Sequence, residues 1–512
     1  MSAAYVQGVQ VRVAEAFNQS LEAEGVMACL KHWAFNEQET NRMNESSVVD
    51  ERTAWELYYP PFEAGVNAGA GSVMCSYNRV NGTHACGNEE LLRRDLKQRM
   101  GFRGFVMTDW WALHHPAEQS VVRGLDMEMP GAGGETYLYG SLLRKMEEQK
   151  SGDFKGYGVG EVYQDAAYRI LSAAHKMQFF DSPSCTPGKD CIEAIFSNQR
   201  SQEGESLAMR SVAESIVLLK NEVVSRTSER ALPLSVKRLA LMGEAWIAPS
   251  LSTNQLGMFG DYYSGGGSGH CYIPPENFTV PFTSVSERAK ALGIQVSSFL
   301  SNNVTEASQF LHADDADTVV ILAATTAEES RDRPSLHLDN GADDLIQTAA
   351  KTGKSVIVLM QVPGTIILPW KDDVDAIVLM FLGGEFTGYG WTSVLFGDQS
   401  PCGKLPIMLP KSQEYTIEPG VEHDVVYSEG LFTSYRSKSA DEATAYPFGH
   451  GLSYTEFRYS EPKQVQCDSK AALVCVQITV KNTGSRHGAE VVQSYFECHP
   501  QQPHLVCFPD TY

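Results

Sequence analysis

Short apolar runs that end in polar residues recur through the first 180 residues. Such runs occupy 26–34, 71–77 and 104–109, a shorter one covers 124–131, and an amphipathic helix is predicted at 90–100. Repeated β-then-α units with reactive residues at strand carboxyl ends are typical of a β/α barrel. About four units are present, whereas an eight-stranded barrel needs roughly 200 residues. The fold class predicted here is therefore α/β, beginning with a partial (β/α) TIM-type barrel over 1–180.

The pattern changes after a predicted linker at 181–205. A helix is predicted over 206–222, and four nearly continuous apolar runs follow, at 238–245, 317–324, 355–362 and 376–384. Runs without alternation indicate strands buried on both faces, as in a parallel sheet between helices. We therefore expect residues 206–415 to form a parallel α/β sandwich.

The C-terminal region follows a third pattern. After a connecting segment at 416–454, Val, Ile and Tyr alternate with polar residues around an Asn-Thr-Gly turn. This alternation is typical of antiparallel hairpins with one solvated face. Because a seven-stranded β-sandwich needs about 100 residues, we predict an incomplete β-sandwich over 455–512.

Composition narrows the class of partner. The 512-residue chain is 43% hydrophobic, carries 20% charged residues and has a net charge of -22. This charge argues against nucleic acid and anionic membrane surfaces as partners. No run approaches the roughly 18 unbroken apolar residues of a membrane helix. A neutral small molecule is the partner that fits best.

Cysteines and sequons point to the secretory pathway. The eleven cysteines include no C-x-x-C pair, which removes the usual zinc and redox signatures, so neither a metal nor a cofactor is expected. Two pairs, Cys75–Cys86 and Cys185–Cys191, could each close a short loop. Asn-x-Ser/Thr sequons lie at Asn18, Asn44, Asn81, Asn277 and Asn303. The N-terminus has no signal-peptide pattern, so either the protein is intracellular or its true start lies upstream.

The stretch GFRGFVMTDWWALHH places Asp109 at the end of an apolar strand, followed by Trp110 and Trp111. Indole faces beside a carboxylate suit a sugar, whose C–H faces stack on aromatic rings while acids contact its hydroxyls. The alternative is that Asp109 caps the next helix and the tryptophans belong to the core.

Two further strand ends carry hydrogen-bonding groups. Lys31 and His32 close one strand and precede a polar loop that ends at Arg42, while Tyr77 and Asn78 close another. Such groups suit a ligand with many hydroxyls. A solvated loop and a core tyrosine are the alternatives.

The second domain offers an acidic edge and a glycine loop. Glu328, Glu329, Asp332 and neighbouring arginines follow one apolar run, either as a surface ion-pair cluster or as the source of a second acid for Asp109. The loop GGGSG at 265–269 lacks the Lys-Ser/Thr of a P-loop. It is either a close backbone approach or a flexible loop. Neither G-x-S-x-G nor H-E-x-x-H is present.

Taken together, these segments make the sequence similar to the glycoside hydrolase family 3 β-glucosidases. The matching segments occur in the family's order and cover nearly the whole chain: KHWAFNEQETNR, GSVMCSYNRVNGTHACGNEELL, LKQRMGFRGFVMTDWWA, GLDMEMPG, SVAESIVLLKNE, GGGSG, ESRDRPSLHL, FGDQSPCGKLPIMLP and YPFGHGLSYTEF. The resemblance implies a barrel, an α/β sandwich and a fibronectin-III-like domain.

The resemblance also implies residue roles. Asp109, in the S/T-D-W motif, is implied as nucleophile, and Glu329, with Glu328 as the second choice, as acid/base. The residues implied to bind glucose are Lys31, His32, Arg42, Tyr77 and Trp110. The implied activity is that of a secreted, glycosylated, retaining exo-β-glucosidase acting on small β-glucosides and cello-oligosaccharides.

Two alternatives stay open. Relative to the family, the first part of the barrel and the end of the last domain are expected to be missing, so one alternative is a truncated, inactive protein or sugar-binding fragment. The other is a β-xylosidase of the same family, since xylosidases share this fold. Xylosidase relatives usually carry Asp-Cys where this chain has Asp109-Trp110.

Overall fold

The computed structural model describes most of the chain. The described residues are 2–10, 26–114, 117–131, 159–177, 179–180, 191, 197–198, 200–250, 259–271, 273–437, 439–467 and 474–495. Two compact units are present. Unit 1 comprises residues 1–199, 330–332 and 417–438, and unit 2 comprises 200–329, 333–416 and 439–512.

The strands, in chain order, are β1 Cys29–Trp33, β2 Ser46–Val48, β3 Ser72–Cys75, β4 Arg79–Val80, β5 Thr83–His84, β6 Phe105–Thr108, β7 Val217–Asn221, β8 Val223–Val224, β9 Glu229–Arg230, β10 Arg238–Met242, β11 Gln295–Phe299, β12 Thr318–Ala324, β13 Ser355–Val362, β14 Ala376–Phe381, β15 Leu409–Pro410, β16 Asp424–Val426, β17 Thr444–Tyr446, β18 Phe457–Tyr459, β19 Lys463–Val465, β20 Cys475–Gln477 and β21 Val480–Asn482.

The helices of unit 1 are Ser2–Gln10, Glu51–Thr53 continuing through Ala54–Tyr58, Pro60–Asn67, Glu90–Arg99, Ala117–Val122 and Val159–Lys176. Those of unit 2 are Gln202–Ser215, Pro281–Ala291, Val304–Ala313, Ala342–Ala350, Thr387–Leu395 and Ala440–Ala443. No helix in the described ranges has both the length and the hydropathy needed to cross a membrane.

A parallel sheet of order β1-β3-β6 forms the centre of unit 1. The apolar runs predicted at 26–34, 71–77 and 104–109 supply these three strands. The fourth run, at 124–131, adds a single parallel bridge between Met107 and Met127. All three strands run in one direction, so their carboxyl ends lie at the same edge of the sheet.

Aromatic side chains fill the core of unit 1. The rings of Trp33 and Tyr59 lie 4.6 Å apart between centroids, and Phe35 lies 5.5 Å from Tyr59. The Trp33 indole N–H donates to the Leu91 carbonyl over 3.2 Å. Burying an aromatic side chain of this kind contributes about 1.5–3 kcal/mol, so the cluster anchors β1 and the loop after it.

A second sheet of unit 1 joins residues distant in sequence. Its order is β16-β2-β4-β5, and β16 pairs in parallel with β2. The Tyr427 hydroxyl, just after β16, donates to the Phe35 carbonyl over 3.1 Å. Part of the segment predicted as a connection therefore supplies a strand to unit 1.

Unit 2 contains a six-stranded sheet of order β11-β10-β12-β13-β14-β7, in which the first five strands are parallel. Every residue of β12 and β13 is buried. Val319 and Ile321 belong to the core on one face, and Val320 and Leu322 to the core on the other. The prediction of strands buried on both faces is confirmed.

The predicted helix over 206–222 is wrong in its second half. The helix ends at Ser215, and Val217–Asn221 form β7, which pairs antiparallel with β14. Val217 and Leu218 pack on opposite faces of the sheet. A segment that is apolar on both sides satisfies a sheet position better than the surface of a helix.

The C-terminal region forms short antiparallel pairs, β18 with β21 and β19 with β20, as the alternation predicted. A disulfide joins Cys467 to Cys475, and another joins Cys75 to Cys86. The second was one of the two predicted loop closures. The other proposed pair includes Cys185, which lies outside the described residues, as do Asn18, most of the linker at 181–205 and the tail from 496.

Candidate active site

Asp109 lies directly after β6, at the carboxyl edge of the unit 1 sheet. Its backbone N–H donates to the Cys75 carbonyl over 3.1 Å, which extends the pairing of β3 with β6. The residue is 8% exposed. The sheet therefore brings this carboxylate to the edge where β1 and β3 also end.

Three donors converge on the Asp109 carboxylate. His32 Nε2 lies 3.2 Å from Oδ2, and the Tyr77 hydroxyl donates to Oδ1 over 3.1 Å. The Trp110 backbone N–H also donates to Oδ1, over 2.7 Å. His32 is part of β1 and Tyr77 follows β3, so the three predicted strand ends meet around one acid.

The donors decide the charge of this acid. Burial alone would raise the pKa of Asp109. The hydrogen bonds from His32, Trp110 and Tyr77 outweigh burial and hold the pKa below its usual value. Asp109 is therefore an ionised carboxylate at neutral pH, which is the protonation state that a nucleophile requires.

The two tryptophans after Asp109 are partly open to solvent. Trp110 is 37% exposed and Trp111 is 72% exposed. Trp111 has a φ of 63°, and its backbone N–H donates to the Met129 carbonyl over 3.1 Å. Residues 110–114 form no helix, so the helix-cap interpretation of Asp109 fails.

Lys31 and Arg42 are further residues that the sequence predicts to bind the sugar. The Lys31 side chain is exposed, and within the described residues it makes no hydrogen bond to Asp109. Arg42 forms an ion pair with Glu39 at 2.9 Å and lies over the Tyr77 ring, 4.7 Å from its centroid.

Asn78, the residue after Tyr77, holds the backbone beside the site in place. Its buried side-chain amide donates to the carbonyls of Ala34 and Phe35, over 3.2 and 3.1 Å, and so holds the loop after β1 against the end of β3.

The candidate acid Glu329 lies in unit 2, in the segment after β12. A parallel bridge joins Glu328 to Gly266, and the Glu329 N–H donates to the Gly266 carbonyl over 3.1 Å. The Ser268 N–H donates to Glu329 Oε2 over 2.7 Å. The GGGSG loop therefore holds both the backbone and the carboxylate of Glu329.

Gly267 shows why this loop is rich in glycine. Its φ is 107°, and a Cβ placed there would lie 2.3 Å from the Glu329 Cβ. A side chain would be strained and would clash. Of the two interpretations of GGGSG, close backbone approach is confirmed.

The acidic edge is divided between the units. Ser330, Arg331 and Asp332 belong to unit 1, whereas Glu328, Glu329 and Arg333 belong to unit 2. The Arg333 guanidinium donates to the Thr365 carbonyl over 2.6 Å. The pattern of charges gave no sign of this division.

Glu45, directly before β2, is a buried acid that the sequence did not predict. Glu45 is fully buried and accepts a hydrogen bond from the Ser47 hydroxyl over 3.1 Å. Burial raises its pKa to about 7, although the Ser47 hydrogen bond and the nearby His423 act in the opposite direction. Its surroundings in sequence, Asn-Glu-Ser-Ser, are those of a solvated loop and carry no signal of burial.

Comparisons with known proteins identify the family. The Glycosyl hydrolase family 3 N terminal domain matches residues 3–132, and the Glycosyl hydrolase family 3 C-terminal domain matches residues 216–454. "Probable beta-glucosidase L" of Aspergillus terreus is 32% identical over 96% of this chain and 69% of its own length.

Solved structures are similar as well. Beta-D-glucoside glucohydrolase from Trichoderma reesei has a TM-score of 0.76 and 32% identity, covering 86% of this chain and 62% of its own. Beta-glucosidase 3B from Thermotoga neapolitana, solved in complex with alpha-D-glucose, has a TM-score of 0.72 and 28% identity, covering 90% of this chain and 65% of its own. This chain thus spans less than two thirds of the length of either structure.

These similarities confirm the predicted combination of a barrel-type domain and a parallel α/β sandwich. Both domain matches and the Aspergillus terreus relative lead to one conclusion: this chain belongs to glycosyl hydrolase family 3.

Proposed function

We propose that this chain is a retaining, exo-acting β-glucosidase that hydrolyses terminal non-reducing β-D-glucosyl residues. The observation that supports it most strongly is the set of donors around the Asp109 carboxylate, which accepts hydrogen bonds from Tyr77 and the Trp110 N–H and is paired with His32. An acid that fixed donors keep ionised is suited to attack an electrophilic carbon.

The proposed reaction has two steps. Asp109 attacks the anomeric carbon while Glu329, protonated, gives its proton to the leaving glycosidic oxygen. Water then attacks the resulting glycosyl ester, losing its proton to Glu329, and β-glucose leaves as Asp109 is released. A retaining mechanism requires carboxyl groups about 5–5.5 Å apart.

Names of similar proteins support the choice of glucose. The Aspergillus terreus relative is named a probable beta-glucosidase, and the Thermotoga neapolitana structure contains alpha-D-glucose. We assign His32, Tyr77, Lys31 and Arg42 to the glucose hydroxyls and the Trp110 indole to a sugar face. The substrates are small β-glucosides and cello-oligosaccharides.

The proposed location is extracellular or within the secretory pathway. The Cys75–Cys86 and Cys467–Cys475 disulfides support it, because such bonds persist in oxidising compartments. Asn44 and Asn277 are exposed sequon residues and are the proposed glycan sites, whereas the Asn303 side chain caps a helix through two hydrogen bonds.

Proton NMR of 4-nitrophenyl β-glucoside hydrolysis tests the proposed function. The expected first product is β-glucose, with α-glucose forming afterwards by mutarotation. Initial release of α-glucose would contradict retention, and an absence of turnover would contradict the activity.

The same assay separates the two candidate acids. With the Glu329→Gln variant we expect the rate of hydrolysis to fall about 10²–10⁴-fold, the usual contribution of a general acid. When azide is added, we expect β-glucosyl azide to form. The matched Glu328→Gln variant is expected to form no azide adduct. The reverse pattern would transfer the role to Glu328.

A further inference from the structure

A three-residue segment of unit 1, residues 330–332, directly follows Glu329 and is bound by the loop at 39–42 of the same unit. Asp332 is its anchor: the carboxylate accepts the Thr40 N–H over 2.7 Å and the Thr40 hydroxyl over 2.6 Å. The Glu39 N–H lies 3.1 Å from both Asp332 oxygens. Three donors of one loop thus converge on a single side chain.

Ser330 is held by the same loop. Its N–H donates to Glu39 Oε2 over 2.9 Å, and its hydroxyl accepts from Arg42 Nη2 over 3.1 Å. Its φ of 72° is uncommon for a residue other than glycine, Asn or Asp. The peptide therefore keeps a sparsely populated conformation while it contacts the loop.

The loop that holds this segment also contacts the surroundings of Asp109. Arg42 pairs with Glu39 and lies over the Tyr77 ring, and Tyr77 donates to Asp109. The Arg42 side chain is 13% exposed and that of Glu39 is 27% exposed, so both are partly shielded from solvent. A continuous set of contacts within unit 1 therefore runs from Asp109 to Ser330.

Chain connectivity then places a limit on Glu329. Consecutive Cα atoms are about 3.8 Å apart, so Glu329 cannot move far from Ser330 while Ser330 and Asp332 remain bound. The Ser268 N–H also donates to the Glu329 carboxylate. The backbone of Glu329 is thus limited by its link to Ser330, and its carboxyl group by the bond from Ser268.

We infer that Asp332, with its partner Thr40, is a positioning residue for general-acid catalysis, fixing the segment that carries Glu329. The inference rests on the proposed function, because it takes Glu329 as the proton donor. Asp332 itself contacts neither the sugar nor the reacting atoms in this scheme.

Two substrates distinguish positioning from general stability. Cellobiose has a poor leaving group and needs the proton, whereas 2,4-dinitrophenyl β-glucoside has a good one and does not. For Asp332→Ala in the full chain, we expect kcat/KM to fall about 100-fold with cellobiose and less than about fivefold with the dinitrophenyl substrate, in line with the contribution of a general acid. Equal losses with both substrates would overturn the inference.

A milder pair of variants covers the case in which Asp332→Ala fails to fold, as judged by thermal melting. Thr40→Val removes the hydroxyl donor and keeps the shape, so it should show the same substrate dependence at about tenfold, whereas Thr40→Ser should restore activity with cellobiose. Unchanged cellobiose activity in Thr40→Val would count against the role of Thr40 and Asp332.

Controls separate this inference from the proposed function. Asp317, which is 84% exposed and paired with Arg226, offers the Asp317→Ala variant, expected to match the wild type with both substrates. A wild-type chain that hydrolyses neither substrate would reject the proposed function, and the inference with it. A competent wild type with a uniformly impaired Asp332→Ala would reject the inference alone.

Discussion

At the residue scale, the chemistry of Asp109 depends on opposing effects. Burial favours the neutral acid, and hydrogen bonds from His32, Trp110 and Tyr77 favour the carboxylate. A hydrogen bond to a charged group contributes about 1.5–3 kcal/mol, so removing one donor should weaken the preference for the charged form. The Tyr77 hydroxyl is the donor that can be deleted with the least change in shape.

The Tyr77→Phe variant should move the acid limb of the kcat/KM profile to higher pH. The nucleophile must be ionised, so activity is lost as pH falls through the pKa of Asp109, and loss of a donor raises that pKa. Because such a bond is worth about 1.5–3 kcal/mol, we expect about a ten- to hundredfold loss of kcat/KM on the acid side and a much smaller loss near pH 7.

A pH–rate profile of kcat/KM measures the shift, because it reports groups of the free enzyme. Tyr427→Phe is the matched control: the Tyr427 hydroxyl donates to the Phe35 carbonyl in the same unit and not to Asp109. An acid limb that stays in place in Tyr77→Phe would show that this hydroxyl has no effect on the nucleophile.

Sequence reasoning reached the residues at strand ends but not their partners. Asp109, His32 and Tyr77 lie at or just after the ends of apolar runs, and parallel strands bring such ends together, so their meeting could be expected. The contact of Asp332 with the loop at 39–40 and the burial of Glu45 depend on residues distant in sequence. No local pattern encodes contacts of that kind.

At the element scale, the glycine loop at 265–269 holds the segment that follows β12. The Gly266 carbonyl and the Ser268 N–H bond the backbone and the carboxylate of Glu329. The loop approaches this closely only because Gly267 has no side chain and adopts a positive φ. The position of Glu329 therefore depends on the backbone of this loop.

Gly267→Ala should impair catalysis through Glu329. The added Cβ would lie 2.3 Å from the Glu329 Cβ, so one of the two must move. A misplacement of about 1 Å can cost about a hundredfold in rate, and we expect a loss of ten- to a hundredfold with cellobiose. Steady-state kinetics measure the loss of rate, and a melting curve measures any loss of stability.

Gly269→Ala is the control for this loop, since nothing lies within 4 Å of a Cβ at that position. It should retain the activity and melting temperature of the wild type. If Gly267→Ala is equally active, close contact with Glu329 does not limit the reaction.

The misassigned helix also has a physical explanation. The helix predicted over 206–222 joined two elements, because the helical spacing of 202–215 continues into the apolar run of β7. Only the neighbouring β14 distinguishes the two, by pairing with Val217–Asn221. The strands β12 and β13 are predicted correctly because nearly continuous apolar runs fit a central strand, and all seven and eight of their residues are buried.

At the scale of the whole molecule, the chain passes between its two units more than once. Residues 330–332 and 417–438 belong to unit 1, although the chain on either side of each belongs to unit 2. The β16–β2 pairing and the Asp332 bonds are among the contacts that hold these segments in unit 1. Periodicity and composition describe neighbours along the chain, so they could not predict these returns.

The central claim is that Asp109 is the nucleophile of a retaining glucosidase. The most direct measurement is incubation of the chain with 2,4-dinitrophenyl 2-deoxy-2-fluoro-β-glucoside, followed by peptide mass spectrometry, with Asp109→Asn as control. Fluorine at C2 slows hydrolysis of the glycosyl ester, so the intermediate accumulates. We predict one fluoroglucosyl group on Asp109 and none on the variant. A label on another carboxylate, or no label on a chain that hydrolyses β-glucosides, would contradict the claim.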